Sequence, residues 1–97
     1  MATIRFEWDP AKARANFRKH GVSFEEARSA FGDEPGRVIP EEAGVSDESR
    51  LVLLGMSYRL RILVVCHTYR EADEVIRIVS ARCADRSERE QYSRYLP

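Results

Sequence analysis

Two arginines stand where a strand would bury them. Arg77 and Arg82 interrupt an apolar run formed by Val75, Ile76, Ile78 and Val79. A guanidinium is costly to bury unless something anionic meets it. That partner is either an internal carboxylate or a phosphate. Glu48, Glu74 and Glu88 are the carboxylates available for an internal network holding the terminal helix to the sheet. In the phosphate reading the arginines form an anion-binding pair, which Arg50, at the head of another strand, could join. Set five apart on one strand, Arg77 and Arg82 point to opposite faces unless a bulge or the strand's end re-aims one. Ser80 shares the face of Arg82 by alternation and could donate to a phosphate oxygen, although a solvated or backbone-bonded hydroxyl is the commoner use of such a serine.

Histidine is the natural proton carrier near neutral pH, and the chain has two. His20 falls in the last turn of the first helix, just before Gly21, where the helix dipole favours an imidazolium; it is either a helix-end interaction or a proton carrier. His67 alternates with Leu63 and Val65 on a strand, where a core or sheet-edge histidine is the commoner use and catalysis the sharper one. Tyr92 and Tyr95 lie three apart on the last helix. Packing is their default use; base stacking, or acid catalysis by Tyr92, is the sharper one. Cys66 and Cys83 have no CxxC spacing, and with the two histidines they make no ligand pattern. Two buried free thiols, no metal and no cofactor are expected.

These side chains need elements to position them. Ile4, Phe6 and Trp8 alternate with Arg5 and Glu7 as in a half-buried strand. Asp9 can cap a helix from Pro10 to His20 that Gly21 closes, and Ser23 with Glu26 has the spacing of a capping box for a short second helix ending at Gly32. From Asp33 to Ser49 the chain is acidic and broken by Pro35, Gly36, Pro40 and Gly44, with room for a brief strand over Arg37 to Pro40. The stretch from Glu41 to Glu48 reads as a mobile loop rather than a carboxylate metal site. Arg50 to Tyr58, Leu60 to Tyr69 and Glu74 to Cys83 read as neighbouring strands, and Asp85 with Glu88 opens a last helix. The class is α+β, an antiparallel sheet with two N-terminal helices and a C-terminal helix on one face.

Ninety-seven residues, 43% hydrophobic and 33% charged, suit a single globular domain over 1–97. No apolar run approaches the roughly 18 residues that span a bilayer, and MATIRFEWDP lacks a signal peptide's apolar core. A cytoplasmic protein with no membrane partner is expected. Net charge is zero, but residues 1–20 carry five basic and two acidic groups, 21–50 three and eight, and 51–97 eight and six. Basic ends flank an acidic middle, so a cationic surface is compatible with a neutral chain.

The stretches FEWDPAKARANFRKHGVSFEEA (Phe6 to Ala27), RLVLLG beginning at Arg50, LRILVVCHTYR, and IRIVSAR followed by SEREQY closely resemble the BrnT family of bacterial toxins. The resemblance covers most of the chain outside the acidic middle. It implies a RelE-like fold and a ribonuclease toxin of a type II toxin–antitoxin pair. It further implies a BrnA-like antitoxin that holds the toxin inactive in a heteromeric complex, and operator DNA contacted only through that antitoxin.

A ribonuclease without a metal can use the RNA's own 2′-OH as nucleophile, which requires a base, an acid for the departing 5′-oxygen and cations around the phosphate. On this reading Arg50, Arg77 and Arg82 stabilise the phosphate, helped by Ser80, while His20 or His67 and Tyr92 handle protons. Lys12 and Lys19, seven apart on one face of a basic helix, are solvated surface or a grip on the RNA backbone. The alternative is a catalytically weak module that clasps the antitoxin and sets operator occupancy. Sparse candidate bases and a neutral chain favour it.

Overall fold

The computed structural model describes residues 4–40, 50–70, 72 and 74–96; the expected loop over Glu41 to Glu48 lies outside them. Strand β1 (Arg5–Glu7) leads into helix α1 (Pro10–His20). Asp9 caps α1 by accepting from the Ala11 N–H at 2.8 Å, and Gly21 ends it in the left-handed region at φ 70°, where a side chain would be strained. Ser23 caps α2 (Phe24–Ser29), accepting from Glu26 N–H, and α2 tightens into a 3-10 turn over Ala30–Gly32. Strands β2 (Arg37–Pro40), β3 (Arg50–Met56), β4 (Ile62–Arg70) and β5 (Val75–Cys83) follow. Helix α3 (Arg86–Ser93) opens with a complete Asp85–Glu88 capping box.

Among the described residues the sheet has five strands in the order β1-β5-β4-β3-β2. The four strands from β2 to β5 pair antiparallel, but β1 runs parallel to β5, with Arg5 opposite Val75 and Glu7 opposite Arg77. The sheet is therefore mixed, not antiparallel throughout. Alternation reports a strand and not its direction: here α1, α2 and the far-edge strands separate β1 from β5.

The helices also divide between the faces instead of sharing one. Phe24 and Ala27 of α2 pack with Leu53, Leu63, Val65, Ile78 and Ala81. Tyr92 of α3 packs with Leu54 and Ala84, flanked by Met56, Ile62, Val64 and Tyr95. Leu53 and Leu54, like Leu63 and Val64, are consecutive strand residues and face opposite ways. The continuous apolar runs of β3 and β4 thus demand cover on both sides.

Two buried polar side chains hold the layers in register. Past Arg77, β5 has no strand on its outer edge among the described residues. Asn16 of α1 substitutes there: its Oδ1 accepts from the Ala81 N–H at 3.1 Å, and its Nδ2 donates to the carbonyls of Ala81 at 2.8 Å and Val22 at 3.0 Å. Glu26 is 1% exposed and does not complete the capping box expected with Ser23. Its carboxylate instead accepts from Ser57 Oγ at 2.7 Å and from the Arg61 guanidinium, tying the β3–β4 turn to α2.

Candidate functional site

A bulge decides which side chains share a face. Cys66 lies opposite Ser80 and His67 opposite Ile78, so Val79 is an extra residue on β5. Strict alternation would separate Arg77 from Arg82; the extra residue returns them to one side. Register then sets out three cross-strand rows on that side. The first joins Glu7, Arg77, Thr68 and Arg50. The second joins Ser80, Cys66 and Val52, and the third Arg82, Val64, Leu54 and Arg37. Rows lie about 7 Å apart. Helix α3 packs on the third row and on Met56 and Ile62 beyond it, leaving Arg50, Thr68, Arg77, Val52 and Ser80 partly exposed.

Each central arginine already has a carboxylate. Arg77 Nη1 donates to Glu7 Oε2 at 2.9 Å, and Arg70 Nη1 reaches the same oxygen at 2.9 Å. Hydrogen bonding from Arg77, with the charge of Arg70, holds the Glu7 carboxyl below the usual range. Arg82 makes a two-pronged pair with Glu88, both contacts at 2.8 Å. That pair lowers the pKa of Glu88 and raises that of Arg82. Of the carboxylates expected as internal partners, Glu88 is one; Glu74 instead gives its carbonyl to the Arg5 N–H, Glu7 takes Arg77, and Glu48 lies outside the described residues. Side-chain exposures of 36% for Arg77 and 42% for Arg82 mean that both pairs meet water. With five donors per guanidinium, a phosphate can approach either arginine without first stranding a buried charge.

Arg50, Arg77, Ser80 and Arg82 are therefore brought together, while the expected proton carriers are not. His67 lies on the opposite, helix-covered face and is fully buried. Its ring packs edge-on to Phe31 at 4.8 Å and Tyr69 at 5.3 Å, Nδ1 lies 3.1 Å from the Val65 carbonyl, and Nε2 has no partner. Burial lowers its pKa, so it is a neutral core side chain. His20 ends α1, the helix whose Ala13 packs against that same helix-covered core. Tyr92 is 2% exposed, and its hydroxyl donates to Asp33 Oδ2 at 2.6 Å. Burial and that carboxylate push its pKa up to about 12, so the hydroxyl anchors α3. Lys12 and Lys19 are exposed on α1.

Sequence reasoning passed over four residues of this face: Glu7, Arg37, Thr68 and Arg70. Glu7 was visible as the polar position of the first alternating strand. Arg37 was not, and its guanidinium lies 4.8 Å from the centre of the Tyr95 ring. Among the described residues no group of three His, Cys, Asp or Glu side chains could hold a metal ion, and no helix is long and apolar enough to cross a membrane.

A two-sided mixed sheet with arginines gathered on its half-open face defines an α+β protein with a cationic sheet surface. The chain belongs to the family described as "Ribonuclease toxin, BrnT, of type II toxin-antitoxin system", whose model matches residues 8–88. Among solved structures it is similar to the crystal structure of the Brucella abortus ribonuclease toxin, BrnT, at 26% identity and a TM-score of 0.67, covering 87% of this chain and 100% of that one. No curated protein matches it. Family membership supports ribonuclease activity in general and implies an antitoxin as partner.

Proposed function

We propose that the protein cleaves RNA on the row-ordered arginine face, without a metal, and that a BrnA-like antitoxin neutralises it by covering that face. The observation that carries this reading is the Val79 bulge, which places Arg77, Ser80 and Arg82 on one side. A phosphate over Ser80 lies between guanidinium groups from the rows above and below. As the 2′-OH attacks phosphorus and the P–O5′ bond breaks, the departing 5′-oxygen takes its proton from water on this half-open face, while Arg77 and Arg82 stabilise the charge gathering on the phosphoryl oxygens, with Arg50 contributing from across the first row. With both histidines off the face, Glu7 is the carboxylate placed to accept the 2′-OH proton; its lowered pKa keeps it ionised at neutral pH. The fold is read as RelE-like, the site of action as cytoplasmic, and any contact with operator DNA as the antitoxin's.

A second reading, a catalytically weak module that binds antitoxin for operator control, draws on the carboxylate already paired with each central arginine. Purified protein incubated with single-stranded RNA separates the two. Cleavage that persists in EDTA and stops on adding the antitoxin is expected. Intact RNA beside a tight antitoxin complex would select the second reading, and cleavage restored only by a divalent cation would overturn metal independence.

A further inference from the structure

We propose that the outer edge of β5, bracketed by Lys12 and Lys19, carries the RNA strand beyond the arginine face as a two-phosphate track. The inference rests on the ribonuclease reading above and adds the path of the substrate. Its starting point is Asn16, whose amide occupies the backbone groups of Ala81 where β1 has ended. This contact fixes which stripe of α1 lies along the edge. Lys12 and Lys19 are four residues before and three after Asn16, so the three share one side of the helix. Both lysines are exposed.

Direction follows from the two ends. The chain enters α1 just after Glu7, which lies opposite Arg77. It leaves at Gly21, whose carbonyl accepts from Arg61 at 3.1 Å, beside the start of β4 that pairs with Cys83. Helix α1 therefore runs along β5 in the same sense, with Lys12 toward the Arg77 end and Lys19 toward the Arg82 end. Seven residues of helix separate the lysines by about 10 Å, far enough for the two ammonium groups to meet different phosphates of one strand.

The chemistry of the stripe selects a nucleic-acid backbone over a protein. Ammonium groups on flexible stems suit phosphates whose exact position varies, and α1 carries no acidic side chain to oppose them. A docking protein would need an apolar anchor. The exposed aromatic residue of α1, Phe17, lies instead on the opposite flank, in a groove shared with Phe24 of α2.

The test uses the full chain and its Lys12→Gln/Lys19→Gln variant with fluorescent single-stranded RNA of two and eight nucleotides. Binding is followed by anisotropy across a salt series, and cleavage is measured in parallel. Loss of two phosphate contacts should reduce the slope of log affinity against log salt for the eight-mer by about 1.4, and affinity at low salt by roughly tenfold. The gain in kcat/KM on lengthening the substrate should disappear. Lysine-to-arginine replacement at both positions should keep the wild-type slope. Should the double variant fold poorly, Lys12→Gln and Lys19→Gln alone should each lower the slope by about 0.7. An unchanged slope overturns the track, as does unaltered RNA binding with weakened antitoxin binding. A wild-type chain that binds the eight-mer without cutting it would remove the ribonuclease reading, while the slope would still decide the track.

Discussion

Replacing Arg82 separates catalysis from scaffolding, because its structural contribution can be bounded from its surroundings. Its two-pronged pair with Glu88 joins side chains 42% and 23% exposed, so solvent screens the attraction, and Arg82→Ala should cost about 1 kcal/mol of stability. Glu88 keeps its contact with the Asp85 N–H at 2.9 Å, so α3 retains its cap. For a chain of this size that is a drop of about 4–8 °C in Tm. Removing a guanidinium from the transition state should cost about 2 to 4 kcal/mol of barrier, roughly thirty- to a thousand-fold in rate. Arg82→Lys should recover only part of that rate, since an ammonium lacks the planar fork. Glu88→Gln should lower Tm by a similar amount yet leave Arg82 free for phosphate, so cleavage should be retained. Melting and initial rates measured on the same samples supply the comparison. The pair also carries a pH signature. Arg82 depresses the folded pKa of Glu88 below 4.5, so its stabilisation is present above that value and fades as pH falls through the folded pKa. The Tm gap between wild type and Arg82→Ala should accordingly narrow below about pH 4.5. An Arg82→Ala protein that melts far earlier but cleaves at the wild-type rate would refute the catalytic assignment.

Asn16→Ala should destabilise by about 3 kcal/mol, because it strands buried backbone groups at Ala81 and Val22; a denaturant midpoint within error of wild type would show that the β5 edge needs no surrogate partner. His67 has a folded pKa below 6.5, so as pH falls below that value the unfolded chain binds a proton that the folded chain resists, and stability declines until the folded pKa is passed. His67→Phe should abolish that decline and still cleave RNA; an undiminished decline, or loss of cleavage, would return His67 to the site.

The features legible in the sequence were those governed by near neighbours. Asp9, Ser23 and Asp85 all cap the helices that they precede, and Gly21 closes α1, because capping is decided within one turn of chain. What escaped depends on distant residues. Glu7 and Arg77 are 70 positions apart, and no local pattern pairs them. The parallel direction of β1 and the placement of α3 on the second face follow from the path of the chain and from which apolar face remains uncovered. The bulge is a middle case. The two arginines required one to share a face, yet VIRIVSARC contains no glycine to mark where the extra residue would fall. His67 stayed open between core and catalysis for a related reason: alternation fixed its neighbours as Leu63 and Val65 but could not say that their face is the one α2 buries.

Neutrality of the whole chain is no argument against a polyanion-binding face. Screening limits exposed charges to a range of about 8–10 Å, so an approaching phosphate responds to the local arrangement. There Arg37, Arg50, Arg70, Arg77 and Arg82 face Glu7 and Glu88 among the described residues. Among the described residues, Glu26 is a compensating acid that sits elsewhere, in the core. The two carboxylates on the face also have a structural purpose: without RNA they keep neighbouring guanidinium groups from repelling one another across the rows. In the proposed mechanism, a phosphate that enters between Arg77 and Arg82 takes over that task, which lets Glu7 exchange its ion pair for the proton of the attacking hydroxyl.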